Sequence, residues 1–193
     1  MVTDRTENEI QALSDDRLYR QYLDGDQTAG DRLMLRYGDV LTAYLDGFLH
    51  NAHDAEDLML DCFTIILVRK PAIKEGGFKA YLFKVARNKA TRLWRFKSDH
   101  PEFDLDEELP LQGDLPEDSA VKDDRSRILQ HALNNIAPQY REALWLFYFM
   151  DMGYDQAAKV MGCSKKKIAN LLQNGKSRLR AELEKEGMTY ADI

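Results

Sequence analysis

Phe83, Lys84, Arg87, Thr91, Trp94 and Arg95 recur at a spacing that sets them together on one side of an α-helix. Cations beside aromatic rings suit single-stranded nucleic acid. The cations neutralise phosphates, and each ring offers a stacking surface worth about 1–3 kcal/mol per unpaired base. A solvated basic face whose rings pack on a neighbouring helix is the competing reading, and spacing alone leaves the two level.

A second set lies between Tyr154 and Leu183. A short helix with the small residues Ala157 and Ala158, a turn at Gly162-Cys163-Ser164 and a longer second helix make a helix-turn-helix pattern. Gly162 supplies the backbone freedom of a tight turn, and Ser164 can cap the helix after it. Ile168, Leu171, Leu172, Gly175, Leu179 and Leu183 fall on the inward face, leaving Lys166, Asn170, Gln173 and Ser177 outward. Such a stripe can enter a major groove: Asn and Gln amides bond an adenine edge, while Lys165, Lys167, Lys176, Arg178 and Arg180 flank them for phosphates. An amphipathic helix with a solvated polar face is the alternative; the turn glycine and the paired helices weigh toward DNA.

A third set, His50, His53, Asp54, Glu56, Asp57 and Asp61, has the residue types of a metal or acid–base site. The two histidines precede an expected helix start, no further His or Cys converges on them, and acids at a helix N-terminus are ordinary. No P-loop, GxSxG or HExxH pattern occurs. The sequence therefore assigns no catalytic residue, metal site or cofactor, and is not read as an enzyme.

The elements that carry these sets are expected to be helical throughout. Ser14-Asp15-Asp16 caps a first helix that Asp24-Gly25-Asp26 ends. Leu33, Leu35, Tyr37, Val40, Leu41, Tyr44, Leu45 and Phe48 mark the apolar side of a second. A third starts near Ala55 and runs through Leu58, Cys62, Phe63, Ile66 and Leu67 to Pro71, with a strand at Thr64-Ile65-Ile66 the weaker option. After Gly76-Gly77, a helix from Phe78 to about Lys97 turns Phe78, Leu82, Val85, Ala86, Leu93 and Phe96 inward, with Lys89 intruding on that face. Further helices are expected over 125–134, 138–150, 155–161 and 164–184, with Pro138 in a first turn. The fold class is all-α: two small helical domains joined by an acidic flexible linker, the second a helix-turn-helix domain.

The 193 residues suit two small domains, and the charge divides them. The net charge is −6, yet residues 1–98 balance at zero, 99–124 carry −10 and 125–193 carry +4, and the stretch Phe63–Ser98 alone is +9. The acidic stretch, with three of the five prolines, cannot bury enough apolar surface to offset its ordering entropy, so it reads as a linker between domains 1–98 and 125–193. It is either a solvated spacer or an anionic mimic of a nucleic-acid strand, and it could fold back on the basic faces of its own domains. The apolar run Phe63–Val68 falls far short of the roughly 18 residues of a membrane span, and Met1–Ile10 is polar and acidic, so the expectation is a cytoplasmic protein without membrane insertion. Cys62 and Cys163 stand alone and read as small hydrophobes.

The order of these features carries a resemblance. Asp54-Ala55-Glu56-Asp57-Leu58, then Phe63, then Phe78-Lys79-Ala80-Tyr81-Leu82-Phe83-Lys84-Val85-Ala86-Arg87-Asn88-Lys89-Ala90 resemble segments of bacterial extracytoplasmic-function (ECF) sigma factors, of the sigma-70 family. Pro138-Gln139-Tyr140-Arg141-Glu142-Ala143-Leu144, Gly153-Tyr154 and the helix-turn-helix look like the second sigma domain. The resemblance implies a transcription initiation factor that binds core RNA polymerase, directs it to promoters and helps open the DNA, with no chemistry of its own. It implies polymerase contact at Glu56, Asp57, Leu58, Asp61 and Phe63. It implies minus-ten contact at the loop Pro71–Gly77 and at Lys79, Phe83, Lys84, Arg87, Asn88, Thr91, Trp94 and Arg95. The second domain would read the minus-35 element through Lys165, Lys166, Lys167, Asn170, Gln173, Lys176 and Arg178. Core RNA polymerase and promoter DNA are the implied partners, together with an anti-sigma factor of the kind that often holds family members inactive. Leu60 stands where the family usually has Gln, and Tyr81 where Trp is common. An autonomous helix-turn-helix regulator, and a protein-interaction module whose basic face meets an acidic partner, are the other readings.

Overall fold

A computed structural model describes residues 13–99 and 124–187, and every regular element among them is helical. The stretch 100–123, which holds nearly all of the expected linker, lies outside the described residues. The rest forms two compact units, one on each side of it.

In the first unit Ser14 Oγ accepts the Arg17 N–H at 3.3 Å and opens α1, Asp15–Leu23. Asp15 and Asp16 then face the positive end of the helix dipole. Asp26 accepts from the Thr28 N–H and starts α2, Gln27–Leu49, whose 23 residues span roughly 34 Å at the α-helical rise. His50 ends α2 in the left-handed region, and Asn51 caps α3, Ala52–Arg69. Lys70, also left-handed, ends α3 one residue before the proline expected to do so, and the β-branched run Thr64–Ile66 is helical. The last element is α4, Phe78–Asp99.

Leu18, Leu33, Leu41, Leu45, Phe63, Ile66, Phe78, Leu82 and Phe83 are fully buried at the centre. Tyr37 and Tyr44 set their rings against Phe83, with centroids 6.4 and 5.1 Å away. Two expectations fail here. Leu35, placed on the inner face of α2, is 84% exposed, because the buried stripe of α2 runs through Leu33, Tyr37, Leu41, Tyr44 and Leu45. Phe96, expected inward, is half-exposed, since no described side chain of α4 beyond Ala90 is fully buried. Gly30 lets α1 approach α2: a Cβ there would stand 2.8 Å from the Tyr22 ring.

The second unit opens with α5, Asp124–Asn134, and α6, Pro138–Leu144, with Pro138 at the first helical position. The single helix expected as far as Met150 instead widens into a π-helical turn, Trp145–Phe149. α7, Tyr154–Met161, ends at Gly162 with φ +64, and α8, Lys165–Lys185, follows the Ser164 cap. Gly175 lets α8 close on α6, where an added Cβ would meet Leu144 at 3.3 Å. Ala143, Leu146, Ala157 and Ile168 are fully buried, and Met152 and Val160 nearly so.

Candidate nucleic-acid interface

α7, the turn at Gly162 and α8 build the helix-turn-helix. Gly153 N–H donates to Gln156 Oε1 at 3.2 Å at the start of α7, and Ser164 Oγ accepts the Lys167 N–H at 3.2 Å at the start of α8. Ile168, Leu171, Leu172, Gly175 and Leu183 are buried and Leu179 half-buried, so the inward face is the expected one. Lys165, Lys166, Lys167, Asn170, Gln173, Lys176, Ser177 and Arg178 are all exposed. From Lys165 to Arg180 six cations occur without one acid. Lys165 pairs with Asp155 of α7 at 2.6 Å, Lys176 lies over the Tyr148 ring at 5.0 Å, and Arg178 lies over Tyr140 at 5.1 Å. These contacts orient three long cations, leaving Lys166, Asn170 and Gln173 in line along the outer surface. Beside them an open groove of about 680 Å³ is lined by Tyr154, Asp155, Gln156, Lys165, Lys166 and Ala169.

On α4 the expected face is narrower than its spacing suggested. Phe83 is fully buried and cannot offer its ring to a base. α4 packs against both α2 and α3, so its buried arc is wide enough to take the adjacent residues Leu82 and Phe83 together. Lys84, Asn88 and Arg95 are exposed, Trp94 is 57% exposed, and Lys79, Arg87 and Thr91 are half-buried. The Thr91 hydroxyl donates to the Arg87 carbonyl at 2.8 Å. Of the two rings expected on this face, Trp94 is exposed and Phe83 is not. Lys89, the intruder on the inner face, reaches Asp61 of α3 at 2.8 Å, and Lys97 reaches Asp54 at 2.5 Å.

α3 splits its expected contact set. Glu56, Asp57 and Asp61 are exposed, whereas Leu58 is buried and Phe63 fully so. Phe63 belongs to the core, because the helical period that lifts the acids outward turns it inward. The acid-and-histidine cluster is dispersed: Asp54 and Asp61 pair with lysines, His53 and Asp57 are 3.9 Å apart, and among the described residues no group of three is placed to hold a metal ion. Cys62 is fully buried, and burial pushes its thiol up to about 12; Cys163 is half-buried. Among the described residues no helix is long and apolar enough to cross a membrane.

The sequence reading missed a patch of rings. Trp145 and Phe149 stack 6.0 Å apart, and Tyr148, Phe149 and Tyr154 are about half-exposed. Its signal was present as five large apolar or aromatic residues in succession, Trp145–Phe149, more than one helix face can bury.

The arrangement has counterparts among known proteins. Residues 33–99 match the family described as Sigma-70 region 2, and residues 126–179 match Sigma-70, region 4. The ECF RNA polymerase sigma factor SigM of Bacillus subtilis is 24% identical over 153 residues, covering 78% of this chain and 93% of that protein. The RNA polymerase sigma factor NccH of Alcaligenes xylosoxydans xylosoxydans is 27% identical, covering 88% and 95%. In fold the chain is similar to the sigma factor RpoE of Bartonella quintana, solved in complex with the anti-sigma factor NepR, with a TM-score of 0.66 at 22% identity over 80% of this chain and 96% of that one. CnrH, solved with the cytosolic domain of CnrY, gives a TM-score of 0.60 at 23% identity, covering 86% and 95%. With both regions present in order on two helical units, the chain belongs to the sigma-70 family and is a sigma factor of the extracytoplasmic-function type.

Proposed function

We propose that the two units divide promoter recognition between them, the α4 surface of the first taking the minus-ten element and α8 of the second reading the minus-35 element. The chain is a transcription initiation factor that directs RNA polymerase to promoters. The observation that carries the assignment is α8, whose outer stripe of Lys166, Asn170 and Gln173 is exposed, flanked by cations and free of acids up to Arg180. Amides read base edges and cations hold phosphates, so one helix supplies both parts of major-groove recognition. On α4, Trp94 offers a stacking ring beside Lys84, Asn88 and Arg95, equipment that suits an unpaired strand. The loop Pro71–Gly77 at the head of α4 is assigned to the same element. Glu56, Asp57 and Asp61 form the face offered to basic groups of core polymerase, and they are exposed for it.

Domains 1–98 and 125–193, joined by the acidic stretch 99–124, are the working parts in this reading. The complex of RpoE with NepR supports an anti-sigma partner, and polymerase as partner supports a cytoplasmic location. No reaction is assigned to the chain itself. Two family regions in one chain favour a polymerase subunit over an autonomous regulator, which would need only the second. The test is co-purification with core polymerase followed by binding to promoter DNA. A stable complex that acquires promoter specificity supports the reading; tight specific binding by the free chain, without association to core, would replace it with the regulator.

A further inference from the structure

Four contacts from α1 converge on the last turn of α3 and the connection from it to α4. The Tyr22 hydroxyl donates to the Leu67 carbonyl at 3.0 Å, and the Lys70 ammonium lies 5.0 Å from the Tyr22 ring centre. The Tyr19 hydroxyl donates to the Pro71 carbonyl at 2.8 Å, and the Gly76 N–H donates to Asp16 Oδ2 at 2.5 Å. The last two grip the loop at opposite ends. Between them Ala72, Lys74 and Glu75 are exposed.

The loop is also shaped from within. Gly76 stands at φ +70, and the Gly77 N–H donates to the Lys74 carbonyl at 2.9 Å, so close that a Cβ on Gly77 would stand 2.6 Å from that oxygen. The Tyr19 ring is buried and tilts against Phe78, the first residue of α4, at 5.3 Å. Burial holds its hydroxyl up to about 12, so it remains a proton donor throughout the physiological range. A loop of eight residues has many conformations to lose, and one held by fixed contacts enters a complex with that cost already met. α1 lies wholly before residue 33, where the region 2 match begins.

We propose that Asp16 and Tyr19 of α1 are positioning residues for promoter recognition, holding the loop 70–77 in the one shape that discriminates among minus-ten sequences. This rests on the assignment of that loop to the minus-ten element. Neither residue touches DNA in this account; each acts through the backbone of the loop, at Gly76 and Pro71.

The experiment uses the chain assembled with core polymerase and a template library randomised only in the minus-ten element, with transcript counts giving a discrimination ratio between preferred and disfavoured sequences. Hydrogen exchange of the Gly76 amide is measured on the free chain in parallel. Tyr19→Phe removes only the hydroxyl, Asp16→Ala removes the acceptor, and Asp16→Asn keeps one. The expected result is a discrimination ratio lowered about fivefold by each of the first two, the factor that corresponds to one hydrogen bond, with faster Gly76 exchange in Asp16→Ala and both restored in Asp16→Asn. An unchanged ratio alongside faster Gly76 exchange would overturn the positioning role and leave the loop assignment standing. A uniform fall on every template would overturn it as well, marking α1 as structural only. A wild-type ratio near one for every minus-ten sequence would instead remove the loop assignment, and the proposal with it.

Discussion

Lys89 reaches from α4 to Asp61 on α3, with Nζ 2.8 Å from Oδ2, so an acid of the face assigned to polymerase is already engaged by a lysine of the helix assigned to DNA. The acid is well exposed and the lysine mostly covered, which puts the pair in the class worth about 0–1 kcal/mol. A basic partner approaching Asp61 competes with Lys89. Replacing Lys89 with Met should therefore change thermal stability little and strengthen binding to core polymerase by about two- to fivefold, whereas Asp61→Asn should weaken it. Titration of labelled core with each variant checks both; weaker binding by Lys89→Met would contradict the competition.

The two rings assigned together on α4 should separate cleanly. Phe83→Ala empties a fully buried site beside Tyr37 and Tyr44 and should cost about 3–5 kcal/mol of stability. Trp94→Ala removes an exposed ring and should leave stability within about 0.5 kcal/mol, while weakening binding of a single-stranded minus-ten oligonucleotide in the polymerase complex by about 1–3 kcal/mol. Denaturant melts and oligonucleotide titrations give the two quantities. A destabilised Trp94→Ala with intact strand binding would reverse the assignment.

On α8 base contacts and phosphate contacts differ in their salt response. Asn170→Ala should relax selectivity at one minus-35 position at a cost of about 1–3 kcal/mol. Lys167→Ala should weaken all templates alike and lower the slope of log K against log salt by about one. Ser164→Ala loses the cap of α8, which accepts the Lys167 N–H, and should cost about 0.5–2 kcal/mol of stability. A salt series across the three variants distinguishes them, and an unaltered slope in Lys167→Ala would remove that residue from the phosphate set.

The thiols offer a check on the core of the first unit. Because the Cys62 thiol is pushed up to about 12, roughly one part in ten thousand is thiolate at pH 8, and the side chain is fully buried besides. A thiol reagent should modify Cys163 in the native chain and reach Cys62 only on unfolding. The sign is that of an acid whose neutral form is native: raising pH toward 12 ionises Cys62 in the unfolded chain first, which draws the equilibrium away from the fold. Two equivalents reacting quickly at pH 8 without denaturant would contradict this packing.

The helical plan was readable in the sequence because caps and periods agreed. Ser14 and Ser164 cap α1 and α8 as their places in the sequence suggest, Asp26 both follows the end of α1 and caps α2, and the inward residues of α8 recur as a 3.6-residue period requires. What could not be read was how wide a face each helix buries. A helix packed on one neighbour hides a narrow stripe, but α4 lies against α1, α2 and α3 and takes in Phe83 as well as Leu82, so a residue assigned to DNA by spacing is core. Phe63 entered the polymerase set through the resemblance alone, and it is core as its place in the apolar series of α3 requires. The π-helical turn at Trp145–Phe149 has no periodic signature, and the hold of α1 on the loop joins residues 52 and 60 positions apart, beyond any local pattern.

Promoter-directed transcription tests the central claim most directly. With core polymerase, this chain and a library of genomic fragments, the account predicts transcripts whose start sites share two upstream elements, and loss of selectivity at the distal element alone when Lys166, Asn170 and Gln173 are replaced by alanine. Transcripts that appear equally without the chain, or start sites with no shared upstream sequence, would contradict it.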